Sequence, residues 1–217
     1  MTDTPHHELC RIGASLYARG YVHATAGNLS ARVAGGHVIT PTDACLGFLD
    51  QTRLAFVDEA GVQQAGDQAS KTLALHRAIY AADPSAGCVI HTHSTHLVAL
   101  TLAGVWSEAD VLPPITPYFA MKIGHVPLVP YRRPGDPALA EAVTALIHGA
   151  HARGAPIRAV LLDRLGPVVW HESPAAAMAV LEELEETAKL WLMTNPKPAP
   201  LNEQQLAELR TQFGAHW

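Results

Sequence analysis

The chain has 217 residues, 48% of them apolar and 16% charged, a composition that excludes disorder and a length that allows one sizeable α/β core. A formal net charge of −5 argues against nucleic acid as the main partner, and no run of about 18 apolar residues is present to cross a membrane. Cys10, Cys45 and Cys88 are scattered without metal-type spacing, and Met1 to Glu8 is polar with no signal-like segment, so a reducing, cytoplasmic setting is expected.

His7 to Arg19 carries Leu9, Ile12 and Leu16 at helical spacing, with Gly20 placed to end the helix. Thr25 to Ser30 is a small polar turn that opens into an alternating strand, Leu29 to Val33. Gly35-Gly36 predicts a hairpin with His37 to Thr40 returning. Leu54 to Val57 and Val62 to Gln64 predict a further strand pair. Ser70 is a candidate cap for a helix running to about Ala82. Cys88 to Ile90 reads as a buried strand, followed by a helix from about Ser94 to Leu102. Val111 to Tyr131 is rich in proline and reads as loops with a short strand near Val126 to Val129. Pro137 to Ala152 is helical. Ala159 to Leu162 and Gly166 to Trp170 form a hairpin, and Ser173-Pro174 starts a helix to about Met193. Glu182, Glu183, Glu185 and Glu186 read as its solvated face. Leu201 to Phe213 is a terminal helix. One domain over residues 1–217 is expected, with a central, mainly antiparallel sheet between helices.

The stretch with most chemistry is Gly87-Cys88-Val89-Ile90-His91-Thr92-His93-Ser94. Residues two apart on a strand share a face, so His91 and His93 can aim at one point. A divalent metal suits such a point, although protein zinc sites take at least three protein ligands.

In order along the chain, Ala26-Gly27-Asn28-Leu29-Ser30, Ile39-Thr40-Pro41-Thr42, Gly66 to Arg77, Val89 to Ser94 and Gly166-Pro167-Val168-Val169 together resemble the class II aldolase/adducin family. Within it, Cys45-Leu46-Gly47, Ser70-Lys71, Thr116-Pro117-Tyr118, Val126 to Tyr131, Arg133 to Asp136 and Leu184 to Lys189 are most similar to the 3-oxo-tetronate 4-phosphate decarboxylase branch. The resemblance implies a three-layer α/β/α fold. It also implies metal-dependent carbon–carbon cleavage or decarboxylation of a small hydroxylated oxo-acid or sugar-acid, with or without a phosphate, and a homo-oligomer, typically a tetramer with sites between subunits. Zinc or another divalent metal is the implied cofactor, with no nucleic-acid or membrane partner.

Carried over by position, His91 and His93 match two metal ligands. Three positions depart from the pattern. Leu165 stands where the family has its third histidine, Thr72 where it has an acidic residue, and Asp43 where a phosphate-loop glycine is usual. Lys71, Thr72 and Tyr118 are the candidates for charge and proton handling. Gly27, Asn28, Ser30, Thr42, Asp43, Ser70 and Arg164 are the candidates for substrate binding, Arg164 by pairing with Asp43 or with a substrate carboxylate. Asp163, His23, His96 and His125 are further candidates for the missing ligand. A lyase is the leading expectation. A catalytically silent or ligand-binding homologue is its rival, and an iron-dependent oxygenase using two histidines and a carboxylate is a third reading.

Overall fold

The computed structural model describes residues 4–215 and 217. Eight strands, β1 (Asn28–Val33), β2 (Gly36–Ile39), β3 (Ala55–Asp58), β4 (Gln63–Ala65), β5 (Cys88–His91), β6 (Leu128–Val129), β7 (Ala159–Leu162) and β8 (Gly166–His171), make one sheet in the order β4-β3-β2-β1-β5-β8-β7-β6. Every neighbouring pair is antiparallel except β6–β7. Among the described residues seven α-helices accompany it: α1 (Pro5–Ala18), α2 (Leu73–Ala82), α3 (Thr95–Ala103), α4 (Pro117–Lys122), α5 (Pro137–Ala152), α6 (Pro174–Met193) and α7 (Glu203–Phe213).

The alternation of the strands builds the layers. Val89, Val168 and Trp170 face one way and pack under α2 and α5 through Leu75, Ile79, Val143 and Ile147. Cys88, Ile90 and Val169 face the other way, under Leu9, Ile12, Leu97, Leu100, Phe119 and Leu181 of α1, α3, α4 and α6. Helices thus cover both faces, which gives the three-layer α/β/α fold expected from the sequence. None of the described helices is long and apolar enough to cross a membrane.

Proline at the first turn and an oxygen-bearing cap start the long helices. The side chains of Asp136 and Ser173 accept from the Ala138 and Ala176 amides ahead of α5 and α6. Three expectations need correction. Ser70 is not the cap of α2: the helix starts at Leu73 with Thr72 at the N-cap, and the Ser70 carbonyl accepts from the Leu73 amide. The segment read as loops contains α4, six residues started by Thr116, whose hydroxyl accepts from Phe119. Glu185 is not solvated. It is 2% exposed and accepts from the His96 and Leu97 amides and from His96 Nδ1, so it caps α3 from α6.

Candidate active site

Six stretches distant in sequence meet at one end of the central strands. They line a cavity of about 240 Å3 with Gly27, Asn28, Thr42, Asp43, Ser70, Lys71, Thr72, His91, His93 and Leu165 among its walls. Most of the candidate residues are therefore brought together. The strands approach closely here, and glycine is required twice. A Cβ on Gly27 (φ 83°) would lie 2.8 Å from the His91 carbonyl oxygen, and one on Gly166 (φ 104°) 2.4 Å from that of Thr92.

His91 is the last residue of β5, opposite Asn28 on β1. His93 lies beyond the strand's end, yet its ring centroid is 5.1 Å from that of His91. His91 Nδ1–H donates to the Pro167 carbonyl, 2.9 Å away, which leaves Nε2 as a lone-pair donor. This arrangement is the one metal-ligating histidines adopt. Burial, with His93 as a secondary cause, holds the His91 pKa down at about 4, against the opposing Pro167 bond. Burial and then His23 lower that of His93. Both rings are thus biased to the neutral, ligating form, and the pair suits two positions on a divalent cation.

A third donor does not follow. Leu165 forms part of the cavity wall, and no group of three or more His, Cys, Asp or Glu side chains able to hold a metal occurs among the described residues. His96 is committed to Glu185 and His125 to Asp110, at 2.8 and 2.9 Å. Asp163 has Arg164 3.9 Å away and is not part of the cavity wall. The carboxylate that an oxygenase site would need does not join the two imidazoles.

Asp43 takes a left-handed backbone, φ 56°, the conformation that glycine adopts without cost. Its loop is tied to the segment before α2 by the Thr42 amide on the Gln68 carbonyl and the Ser70 amide on that of Thr40. The Ser70 and Thr72 hydroxyls are 3.0 Å apart. Lys71 is exposed between them.

Three candidates lie elsewhere. Ser30 is 1% exposed and sits beneath the cavity, because the ring of His76 fills the space between it and Asn28. Tyr118 is 63% exposed on α4, away from the cavity wall. Arg164, also left-handed at φ 62°, does not pair with Asp43. It joins His23 and His93 around an adjoining cavity of about 350 Å3. His93 lines both cavities. His76 is not among the candidates read from the sequence. The signal for its burial is the pair Asn28 and Ser30, two hydrogen-bonding side chains on one face of a strand.

Comparison with known proteins agrees with the geometry. The family model for the class II aldolase and adducin N-terminal domain matches residues 7–192. A 3-oxo-tetronate 4-phosphate decarboxylase of Cupriavidus necator is 57% identical over 215 residues, 97% of this chain and 96% of the relative. The crystal structure of YgbL from Escherichia coli superimposes with a TM-score of 0.86 at 41% identity, over 94% of this chain and 97% of that one. The L-fuculose-1-phosphate aldolase of Thermus thermophilus gives 0.74 at 25% identity, over 89% and 97%. The chain belongs to the class II aldolase and adducin family.

Proposed function

We propose that this protein is a carbon–carbon lyase that removes CO2 from a phosphorylated 3-oxo sugar acid, the substrate class in the name of its 57% identical relative. The observation that carries the choice of decarboxylation over aldol cleavage is Thr72 in the cavity wall. Aldol cleavage needs a base to take the proton of the β-hydroxyl, and a neutral threonine is a poor one. A 3-oxo acid is already ionised and needs none. Its C1–C2 bond breaks, CO2 leaves, and the electron pair moves through C2–C3 onto the carbonyl oxygen. The resulting enediolate takes a proton at C2 and becomes a three-carbon ketose phosphate.

His91 and His93 would hold a divalent cation, zinc first, and such an ion supplies Lewis-acid polarisation of the carbonyl. Lys71 is the cation of the chain itself beside the anionic substrate. The Gly27 backbone, the Asn28 amide and the Thr42 and Ser70 hydroxyls are the donors for phosphate. Asp43 opposes them and lowers phosphate affinity. In the family's homotetrameric arrangement, Tyr118 would serve as an acid only if a neighbouring copy presents it. A cytoplasmic location accords with this chemistry.

Leu165 and Asp43 favour a second reading, a silent homologue that binds an anion without turning it over. The test is CO2 release from a 3-oxo-tetronate 4-phosphate by tag-free protein, with its metal content measured. Turnover abolished by His91→Ala supports the lyase. No turnover in metal-supplemented protein that still binds the substrate supports the second reading.

A further inference from the structure

His76 is a buried ionisable side chain that the chemistry above does not use. It is fully enclosed on α2, yet both ring nitrogens are engaged. Nε2 is 2.6 Å from Asn28 Oδ1 and Nδ1 is 2.7 Å from Ser30 Oγ. Ser30 Oγ lies in turn 2.8 Å from the Tyr80 hydroxyl. Asn28 and Ser30 leave the same face of β1, and the imidazole is wedged between them. Tyr80, four residues after His76, comes from the next turn of the same helix.

Placing the protons selects one direction. If the Asn28 amide nitrogen faced the ring, it would donate to Nε2. Nδ1–H would then donate to Ser30. One hydroxyl proton, that of Tyr80 or that of Ser30, would be left without an acceptor in the network. With Oδ1 facing the ring, every proton has a place. Tyr80 donates to Ser30, Ser30 donates to Nδ1, and Nε2–H donates to Asn28 Oδ1. Burial, reinforced by His91 and then His37, pushes the His76 pKa down to about 3. The ring is therefore neutral with one N–H, as this chain of bonds requires.

We propose that Ser30 and His76 form a positioning relay that fixes the Asn28 carboxamide with its NH2 group turned into the cavity, with Tyr80 bracing Ser30 from outside the relay. Asn28 is thereby a donor to the anionic group of the substrate, whereas the flipped amide would present a repelling oxygen. The relay rests on the reading of the cavity as the anion-binding site of a lyase. His76 touches no substrate and acts through Asn28. Ser30 holds the tautomer, because its proton occupies Nδ1.

The test combines the histidine tautomer, read by long-range nitrogen–proton correlation on labelled protein, with calorimetric binding of inorganic phosphate. Wild-type His76 is expected as the Nε2–H tautomer. Ser30→Ala is expected to lose that tautomer and to bind phosphate about tenfold more weakly, the loss of one charge-assisted hydrogen bond. Tyr80→Phe leaves the Ser30 proton on Nδ1, so its tautomer and phosphate affinity should stay near wild type even if its melting temperature falls. A purely structural network would not separate the two variants in this way. An Nδ1–H tautomer in the wild type overturns the relay, and so does unchanged phosphate affinity in folded Ser30→Ala. Wild-type protein with the Nε2–H tautomer and no phosphate binding supports the relay and overturns the anion reading of the cavity. The wild-type tautomer decides the matter even if Ser30→Ala fails to fold.

Discussion

Leu165 stands in the wall of a cavity that already holds two neutral imidazoles. Leu165→His would bring a third donor of the kind these sites take. Zinc affinity, followed by calorimetry, should rise at least about tenfold, and His91→Ala should abolish the gain. Affinity unchanged by Leu165→His would mean that the side chain at this position does not reach the His91–His93 pair. Asp43 invites the opposite kind of change. Asp43→Gly removes a negative charge from the anion side of the cavity and places glycine at φ 56°. Screened repulsion of about 1 kcal/mol corresponds to a roughly fivefold fall in KM or phosphate Kd. A constant KM would show that the carboxylate points away from the substrate. The His-x-His pair was legible in the residues themselves, and the three departures only against the pattern of the family that the chain resembles. The role of His76 was not, because its partners Asn28 and Ser30 are 48 and 46 positions away and no local pattern links them.

Among the elements, those with strong local chemistry were legible: α5 and α6 with their proline starts, the β7–β8 hairpin, and β5 with its apolar run. Helix α4 escaped because six residues make too few turns for a period. Glu185 escaped for another reason. Its neighbours Glu182, Glu183 and Glu186 suggest a wet face, whereas its acceptors' work lies at the start of α3, 89 positions earlier in the chain. The first amides of a helix have no partners within it, and Glu185 satisfies those of His96 and Leu97. Glu185→Ala should therefore destabilise the fold by about 2–4 kcal/mol, measured by urea unfolding, with Glu185→Gln losing less. A cost under about 0.5 kcal/mol would show that water replaces the carboxylate freely.

For the whole molecule, buried ionisable groups set the response to acid. The His76 pKa is about 3 when folded, against an ordinary 6.5. Between these values the unfolded chain binds a proton that the folded one does not, so stability rises with pH across this window and falls on acidification. The slope approaches about 1.4 kcal/mol per pH unit for each such group. Asp83 adds to this. Burial alone would raise its pKa, but bonds from Ser85, Arg158 and Trp170 outweigh that and hold it below the usual carboxylate range. Its contribution is present above the unfolded value and is lost as pH falls through the folded one. Urea midpoints should decline steadily from pH 6.5 toward pH 4, and His76→Phe, if it folds, should flatten the upper part of that decline. A flat wild-type profile across this range would contradict the neutral, enclosed state of the ring.

The middle of the sheet also sets a timetable. Strand β5 is flanked by β1, already made, and by β8, which ends at His171. A ribosome adding about 5–20 residues per second leaves one edge of β5 uncovered for several seconds after that strand has emerged. During that interval the apolar run Cys88 to Ile90 is open to chaperones and to like strands from other nascent chains. Truncations that stop short of β8 should therefore emerge as chaperone-bound or aggregated material rather than as smaller folded proteins.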